Sequence, residues 1–400
     1  MNFLTLDDID PAGKTVLLRG DLNVPMHDGK VSDATRIERL APTIIELAAK
    51  GARIVVMSHF GRPKGRDPAL SLRAVAPVLS QALGGRDVAF AEDCIGPAAQ
   101  RVVDALAPGG VALLENLRFH PEEEANDPGF ARALAALGDL YVDDAFSAAH
   151  RAHASTEAIA HLLPAAAGRL MQAELEALAA VLETPARPVM AIVGGAKVST
   201  KLDLLAYILG KVEVLVIGGA MANTLLAARG IEIGTSLAER DAGEAAHGLF
   251  ARAQAEGVEL VLPIDAVVAE RLAPGVAATT VAIDRVPRDR MILDIGPMSV
   301  AAIGARLAQS RTLLWNGPVG AFETPPFDAG TTALAERAAG LTRAGSLTSV
   351  AGGGDTAAAL DHAGVADAFS YVSTAGGAFL EWLEGRELPG VAALARNRRR

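Results

Sequence analysis

Short apolar runs, separated by alanine- and leucine-rich stretches, recur along the whole chain. Before residue 150 they read TVLLRGD, RIVVMSH, DVAFAED, VALLENL and LYVDDAF. After residue 185 they read VMAIVGG, EVLVIGG, ELVLPID, MILDIGP, TLLWNGP, SLTSVAG and FSYVST. The runs are continuously apolar rather than alternating, so both faces of each strand must be covered. Strands of that kind, spaced by helices, build mostly parallel sheets with helices on both sides. One such sheet is expected in each half. A chain of 400 residues, 50% of them hydrophobic, has core enough for two or three domains. Between the halves, LLPAAAGRLMQAELEALAAVLETPARP places Leu170, Leu175, Leu178, Val181 and Leu182 at near-helical spacing, ended by Pro185 and Pro188. A connecting helix after Pro164 is expected there, with the alanines as helical filler.

Charge and cysteine content narrow the setting. Acidic residues outnumber basic ones 47 to 37, a net charge of -10 that disfavours general attraction to nucleic acid or to an anionic membrane. Any basic cluster must be local. The ending RNRRR is one, and a solvated terminus is its plain reading. The single cysteine, Cys94, excludes an internal disulfide framework and fits a reducing compartment. The start MNFLTLDDIDPAGK has no basic-then-apolar leader profile, and no run reaches the roughly 18 apolar residues that span a bilayer. A soluble cytoplasmic protein is expected.

In open parallel sheets, ligands sit beyond the carboxyl ends of the strands. In the first half those ends lead into RGDLNVP, SHFGRP, NLRF and DDAFSAAHRAHAS. They offer Asp21, Asn23, His59, Arg62, Arg118 and Arg151, with Arg36 close behind in DATRIERL. Each alone has an ordinary explanation as a turn former, a solvated helix residue or a structural histidine. Together, arginines and a histidine at one rim of an acidic protein make a site for a small, highly charged anion. The planar fork of arginine binds phosphate or carboxylate through paired hydrogen bonds.

The second half opens with PVMAIVGGAKVSTKLDLL, which reads as strand, glycine turn and helix start, a layout that admits phosphate to free backbone N–H groups. Lys197 and Lys201, four residues apart, are expected to point the same way; two solvated lysines are the plainer alternative. GGAKVST lacks the G-x-x-x-x-G-K-[ST] spacing of the common phosphate loop. AGGGDTAAAL makes a second glycine turn, where Asp355 either caps the following helix or holds magnesium. GGGDTA also satisfies G-x-G-x-x-A, but the acidic residue that should close the next strand is Asp367, which precedes it. WNGPVGAFE and STAGGAF complete this rim, with Glu323 placed for ribose hydroxyls and Gly376-Gly377 for phosphate.

RGDLNVP, SHFGRP, LLENLRF, AHRAHAS, GGAKVSTK, LDIGP, WNGPVGAFE, GGGDT and LEGRELPGVAAL occur in this order over essentially the whole chain. In these motifs the chain resembles the phosphoglycerate kinases. The resemblance implies an α/β protein: two Rossmann-like domains with mostly parallel sheets, facing each other across a cleft and joined by a hinge helix. The first would span 1–168 with 384–400 packing back on it, the second 169–383. It implies reversible, Mg2+-dependent phosphoryl transfer between 1,3-bisphosphoglycerate and ADP, giving 3-phosphoglycerate and ATP, in a monomer. The acid would sit on Asp21, Leu22, Asn23, Arg36, His59, Phe60, Gly61, Arg62, Arg118 and Arg151. Gly195, Ala196, Lys201, Asn316, Glu323, Gly353, Gly354, Asp355 and Thr356 would hold the nucleotide, with Asp355 as the magnesium ligand. Arg36, Lys197, Gly376 and Gly377 would surround the phosphoryl group in flight. The chain departs from the family pattern at YVDDAFS, where Asp143 is expected to add charge near the anion rim and Ser147 replaces glycine, and at SYVSTAGG, with Tyr371 for histidine and Ala375 for glycine.

An alcohol-directed kinase gains from a carboxylate that takes the hydroxyl proton, whereas the carboxylate of 3-phosphoglycerate is already an ionised nucleophile. No general base is needed, and the motifs offer none. Two competitors remain at this level: a dinucleotide-dependent dehydrogenase, favoured by GGGDTA, and a two-domain anion-binding protein without catalysis.

Overall fold

The structure, a computed structural model, describes residues 3–397; of the RNRRR ending, the last three residues lie outside them. The chain divides into two compact units, one running to Glu176 and resuming at Glu387, the other spanning Ala177–Arg386.

In the first unit the strands are β1 (Thr15–Arg19), β2 (Met26–His27), β3 (Lys30–Val31), β4 (Arg53–Met57), β5 (Val88–Phe90), β6 (Val111–Leu113), β7 (Leu140–Asp143) and β8 (Ala165–Ala167). A six-stranded sheet in the order β5-β6-β4-β1-β7-β8 is parallel throughout, while β2 and β3 make a separate hairpin. The five expected runs supply five of these strands; β8 was expected to be helix. Pro164 and Gly168 confine the three alanines to a stretch too short to close helical turns. Their small side chains, fully buried, let the backbone pair with β7 instead. Gly168 is obligatory there, because a Cβ would lie 2.3 Å from the Asp144 carboxylate. The connecting helix therefore starts later, at Arg169, and runs to Leu182. Arg169 moors its start, with Nη2 2.6 Å from Asp7 Oδ1 and 2.7 Å from Glu46 Oε1.

Val16, Leu18, Ile54 and Val56 of the sheet pack against Leu40, Ile44 and Leu47 of helix Thr35–Ala49. Burying each such side chain contributes about 1.5–3 kcal/mol, which fixes this helix and carries Arg36 in its first turn. Register then sets the site. Arg19 is level with Met57 and Asp143, and Val56 with Leu113, so the loops after β1, β4, β6 and β7 leave the sheet along one edge.

The second unit holds β9 (Val189–Val193), β10 (Val214–Ile217), β11 (Glu259–Val261), β12 (Asp265–Ala269), β13 (Thr279–Ala282), β14 (Met291–Ile295), β15 (Thr312–Asn316), β16 (Thr348–Gly352) and β17 (Tyr371–Ser373). Its parallel sheet has the order β11-β10-β9-β15-β16-β17. The MILDI run, read from sequence with the strands of this sheet, lies instead in a small antiparallel sheet, β13-β12-β14. Only its last two residues are buried, whereas every residue of β9 and β15 is. Val193 is level with Ile217 and Asn316, and Gly352 with Ser373, so the turns after β9, β10, β15, β16 and β17 again share one edge.

Candidate functional site

The first unit's rim is built by carboxylate and amide side chains that lock turns. Asp21 Oδ1 accepts from its own turn at Asn23 N (3.0 Å), and Oδ2 lies 3.0 Å from Arg36 Nη1 while accepting from Ser147 Oγ. Ser147, a departure from the family glycine, thus anchors a candidate site residue. Arg36 Nη1 also donates to Asn23 O at 2.8 Å. Asn23 Oδ1 accepts from Gly61 N at 2.9 Å, and Arg118 Nη1 donates to Gly61 O at 2.7 Å, so the turn bearing His59, Phe60, Gly61 and Arg62 is held from two sides. Gly61 has φ +60°, a conformation that favours glycine. Asn116, fully buried, accepts from Phe60 N at 3.0 Å and donates to Phe60 O at 2.7 Å, and it accepts from Arg118 N at 3.1 Å. Arg118 is itself buried, while Arg62 is exposed and Arg151 half-buried, its Nε donating to His150 Nε2 at 3.1 Å.

Sequence reasoning passed over Arg19, the last residue of β1 and 1% exposed. Its Nε donates to Ser155 Oγ at 2.9 Å and its Nη2 lies 3.0 Å from His59 Nδ1. An arginine closing the otherwise apolar TVLL was the available signal. Arginine can only donate, so His59 Nδ1 is the acceptor and Nε2 carries the ring proton. Burial, then the guanidiniums of Arg19, Arg118 and Arg151, holds His59 well below the ordinary histidine range; the same causes, with Arg118 foremost among the cations, push His153 down to about 4. Both rings are neutral near pH 7 and add hydrogen-bonding groups, not charge. Behind them Glu123, with no exposed surface, accepts from Ser155 N at 2.9 Å and Ser155 Oγ at 2.6 Å.

Asp143 does not bring its charge to the rim as expected. It closes β7 inside the sheet with no exposed surface, and burial raises it to about 6 while Ala145 N donates to Oδ1.

In the second unit the glycine pair makes room first for the protein's own backbone. A Cβ on Gly194 would lie 1.9 Å from Pro318 O, and one on Gly317 2.2 Å from Gly194 O, so the turns after β9 and β15 pack back to back. The two lysines do not share one helix face, because residues 194–198 are loop, Ser199–Lys201 a short 3-10 turn, and the α-helix begins only at Leu202. Lys197 is exposed. Lys201 turns inward, Nζ donating to Gly194 O and Asn316 Oδ1, both at 2.7 Å. Burial pulls its ammonium down to about 8, with Asp355 acting against that shift. Asn316 Nδ2 donates to Gly352 O at 2.7 Å, and Thr356 Oγ1 accepts from Gly317 N at 2.7 Å while donating to Gly352 O at 2.9 Å. Asn316 and Thr356 thus join three of the turns.

Beside this network lies a cavity of about 420 Å3, lined by Gly195, Ala196, Gly219, Leu237, Leu272, Ile292, Val319, Glu323 and Asp355. It is mostly apolar with a few polar groups, the usual make-up of a small-molecule site. Asp294, also lining it, was missed: burial raises it to about 7, and it accepts from Gly330 N and Ile295 N. Glu323 is exposed, Gly353 has φ +97°, and Gly354 begins helix Gly354–His362. Gly376, at φ +46°, precedes helix Gly377–Leu383, and buried Ala375 donates its N–H to Ser373 Oγ at 3.2 Å.

Asp355 does not cap its helix. It is exposed in the first turn, and its carboxylate makes no hydrogen bond or ion pair among the described residues. A hard oxygen donor left open beside a cavity fits Mg2+, which commonly takes one or two carboxylates together with phosphate oxygens and water.

The phosphoglycerate kinase family model matches residues 6–386. A phosphoglycerate kinase of Rhodospirillum centenum is 61% identical over 395 residues, covering 98% of this chain and all of that protein. One of a Ruegeria species has the same identity and coverage. Among solved structures, phosphoglycerate kinase from Coxiella burnetii superposes with a TM-score of 0.91 at 42% identity, over 98% of this chain and 99% of that one. Phosphoglycerate kinase from Pyrococcus horikoshii does so with a TM-score of 0.80 at 30% identity and the same coverages. With motifs, two parallel sheets and relatives all in agreement, the chain belongs to the phosphoglycerate kinase family.

Proposed function

We propose that the chain transfers a phosphoryl group reversibly between 1,3-bisphosphoglycerate and ADP, giving 3-phosphoglycerate and ATP, with Mg2+ accompanying the nucleotide. One observation carries the reading. Arg19, Arg118 and Arg151 gather at the first unit's rim around histidines too depressed to share their charge, which suits an anion bearing carboxylate and phosphate groups. The apolar cavity, lined by Gly195 and Asp355 with Lys201 next to Gly195, suits a purine nucleoside whose phosphates reach an ammonium and a metal-binding carboxylate.

Arg36, Arg62, Arg118 and Arg151, with the His59–Arg62 turn, hold the three-carbon acid. Ala196, Lys201, Glu323 and the Gly353–Thr356 turn hold the nucleotide. Bound magnesium, held by Asp355, would neutralise phosphate charge. The acid's carboxylate attacks as it stands, so the protein's work is alignment, exclusion of water and neutralisation of the transferring group by Arg36, Lys197 and the Gly376-Gly377 amides. Bending at helix Arg169–Leu182 would unite the two ligands. A monomer acting in the cytoplasm belongs to the same proposal.

The direct test follows ATP consumption with 3-phosphoglycerate and magnesium through a coupling dehydrogenase. Lys197→Ala and Arg36→Ala should each lower kcat about a hundredfold or more, since one preorganised donor contributes roughly 3 kcal/mol, with the fold retained. Full turnover in either variant refutes its assignment.

A further inference from the structure

Outside the residues assigned to phosphoryl transfer, the first unit gathers a carboxylate, a thiol and an imidazole. Asp93 and Cys94 follow β5, and His120 closes the short turn Leu117–Phe119. Asp93 Oδ1 lies 2.7 Å from His120 Nε2 and accepts from Cys94 N at 2.7 Å. One donor atom from each of the three residues lies within 4.8 Å of the others. Cys94 is fully buried, whereas Asp93 and His120 are partly exposed, so the group opens to solvent from the carboxylate and imidazole side. Arg66 Nη1 lies 3.6 Å from the other oxygen of Asp93, Oδ2.

A sulfur, nitrogen and oxygen set is too soft for magnesium and matches zinc, which takes three protein ligands and leaves a fourth position to water. Donors about 2.0–2.3 Å from such an ion stand roughly 3.3–3.7 Å apart. To reach that spacing Asp93 Oδ1 and His120 Nε2 would part from 2.7 Å by roughly 0.6–1 Å, with the sulfur already within 4.8 Å of a donor atom of each. We propose that Asp93, Cys94 and His120 form a binding site for a zinc-class divalent cation, independent of the nucleotide's magnesium and of the transfer reaction. On binding, a metal–sulfur bond forms and the thiol proton passes to buffer; the proton that His120 Nε2 gives to Asp93 moves to Nδ1, which breaks that hydrogen bond and frees a lone pair on each, with no change of oxidation state.

Cobalt(II) is the probe, added to the full-length protein. Cys94 is the only cysteine, so a thiolate-to-cobalt charge-transfer band can arise nowhere else. The expected result is one equivalent of cobalt giving that band, close to one proton released per ion, and displacement of cobalt by zinc. Cys94→Ser should abolish the band. His120→Asn, which keeps the thiol, should weaken binding at least tenfold. Circular dichroism would establish that each variant is folded. No charge-transfer band in the folded wild type, or unchanged affinity in folded His120→Asn, overturns the proposal.

Discussion

Replacing Lys201 by methionine probes the second rim where its electrostatics are sharpest. Methionine fills much of the space but leaves Gly194 O and Asn316 Oδ1 without their 2.7 Å donor. Taking the ammonium from its ordinary value of 10.5 to about 8 corresponds to roughly 3 kcal/mol of charging penalty. A docked phosphate would relieve that penalty, so the charge is poised for an anion. A hydrogen bond to a charged group contributes about 1.5–3 kcal/mol, so ADP should bind Lys201→Met roughly ten- to 150-fold more weakly. The pH dependence is the sharper readout. Above about 8 the free protein loses the Lys201 proton, and nucleotide binding must restore it. Calorimetry between pH 6.5 and 9.5 should therefore show wild-type affinity falling above about 8 with proton uptake on binding, and neither effect in the variant. Stability moves the opposite way: between about 8 and 10.5 the unfolded chain holds a proton the folded one has released, so wild-type stability should rise with pH there. Identical pH profiles for the two proteins, or ADP affinities within twofold, would refute the reasoning.

Gly194→Ala forces a methyl group into Pro318 O, backbone against backbone, and should lower stability by more than about 2 kcal/mol; an unchanged urea midpoint would contradict the packing. Glu123→Gln sets an amide N–H2 against a donor of Ser155 and loosens Arg19 and His59. The KM for 3-phosphoglycerate should rise about tenfold with a smaller change in kcat, and equal losses in both would count against a positioning role. Ser147→Gly removes a donor from Asp21 and should cost about 1 kcal/mol of stability, measured by denaturant titration. Asp144, buried and accepting from Met171 N at the start of the connecting helix, is raised to about 7. The folded protein keeps its proton where the unfolded chain has lost it, so stability should fall as pH rises from about 4 to 7, and Asp144→Asn should flatten that slope.

The sheets were legible because continuous apolar runs have few alternatives to buried parallel strands, and because their carboxyl ends announce the ligand edge. Ala165–Ala167 escaped because alanine favours helix until flanking proline and glycine leave no room for one. MILDI escaped because a five-residue, mostly apolar run does not reveal which sheet it joins. At the site, the glycine turns and charged residues were visible, but the direction of a side chain was not. Lys197 and Lys201 diverge because a 3-10 turn stands where a helix was expected. Asp143 is inside because β7 extends one residue further than a rim position allows. Arg19, His153 and Asp294 hide in motifs whose other members drew attention, and only burial distinguishes them.

The depressed histidines explain how an acidic chain keeps a cationic rim. Arg19, Arg118 and Arg151 act on the same two rings, so they lie close enough to repel one another. Arg118 Nε does lie 3.0 Å from Glu124 Oε1, but that carboxylate is more than half exposed, so water screens the pair; were buried carboxylates to pair with all three, the cations would be quenched and an arriving anion would have to displace them. Glu123 instead faces Ser155, using neutral donors to take its hydrogen bonds, and Asp143 and Asp144 are held toward the protonated form by burial. Buried carboxyls thus back the rim with their charge weakened by burial, and the carboxylate that reaches Arg118 lies largely in solvent. Neutral His59 and His153 stand within reach of the guanidiniums' charge, where a protonated ring would add repulsion and a carboxylate would cancel attraction. The repulsion left in the free rim is what a multiply charged anion removes on arrival, so the arrangement favours charge-dense ligands over singly charged ones of the same size.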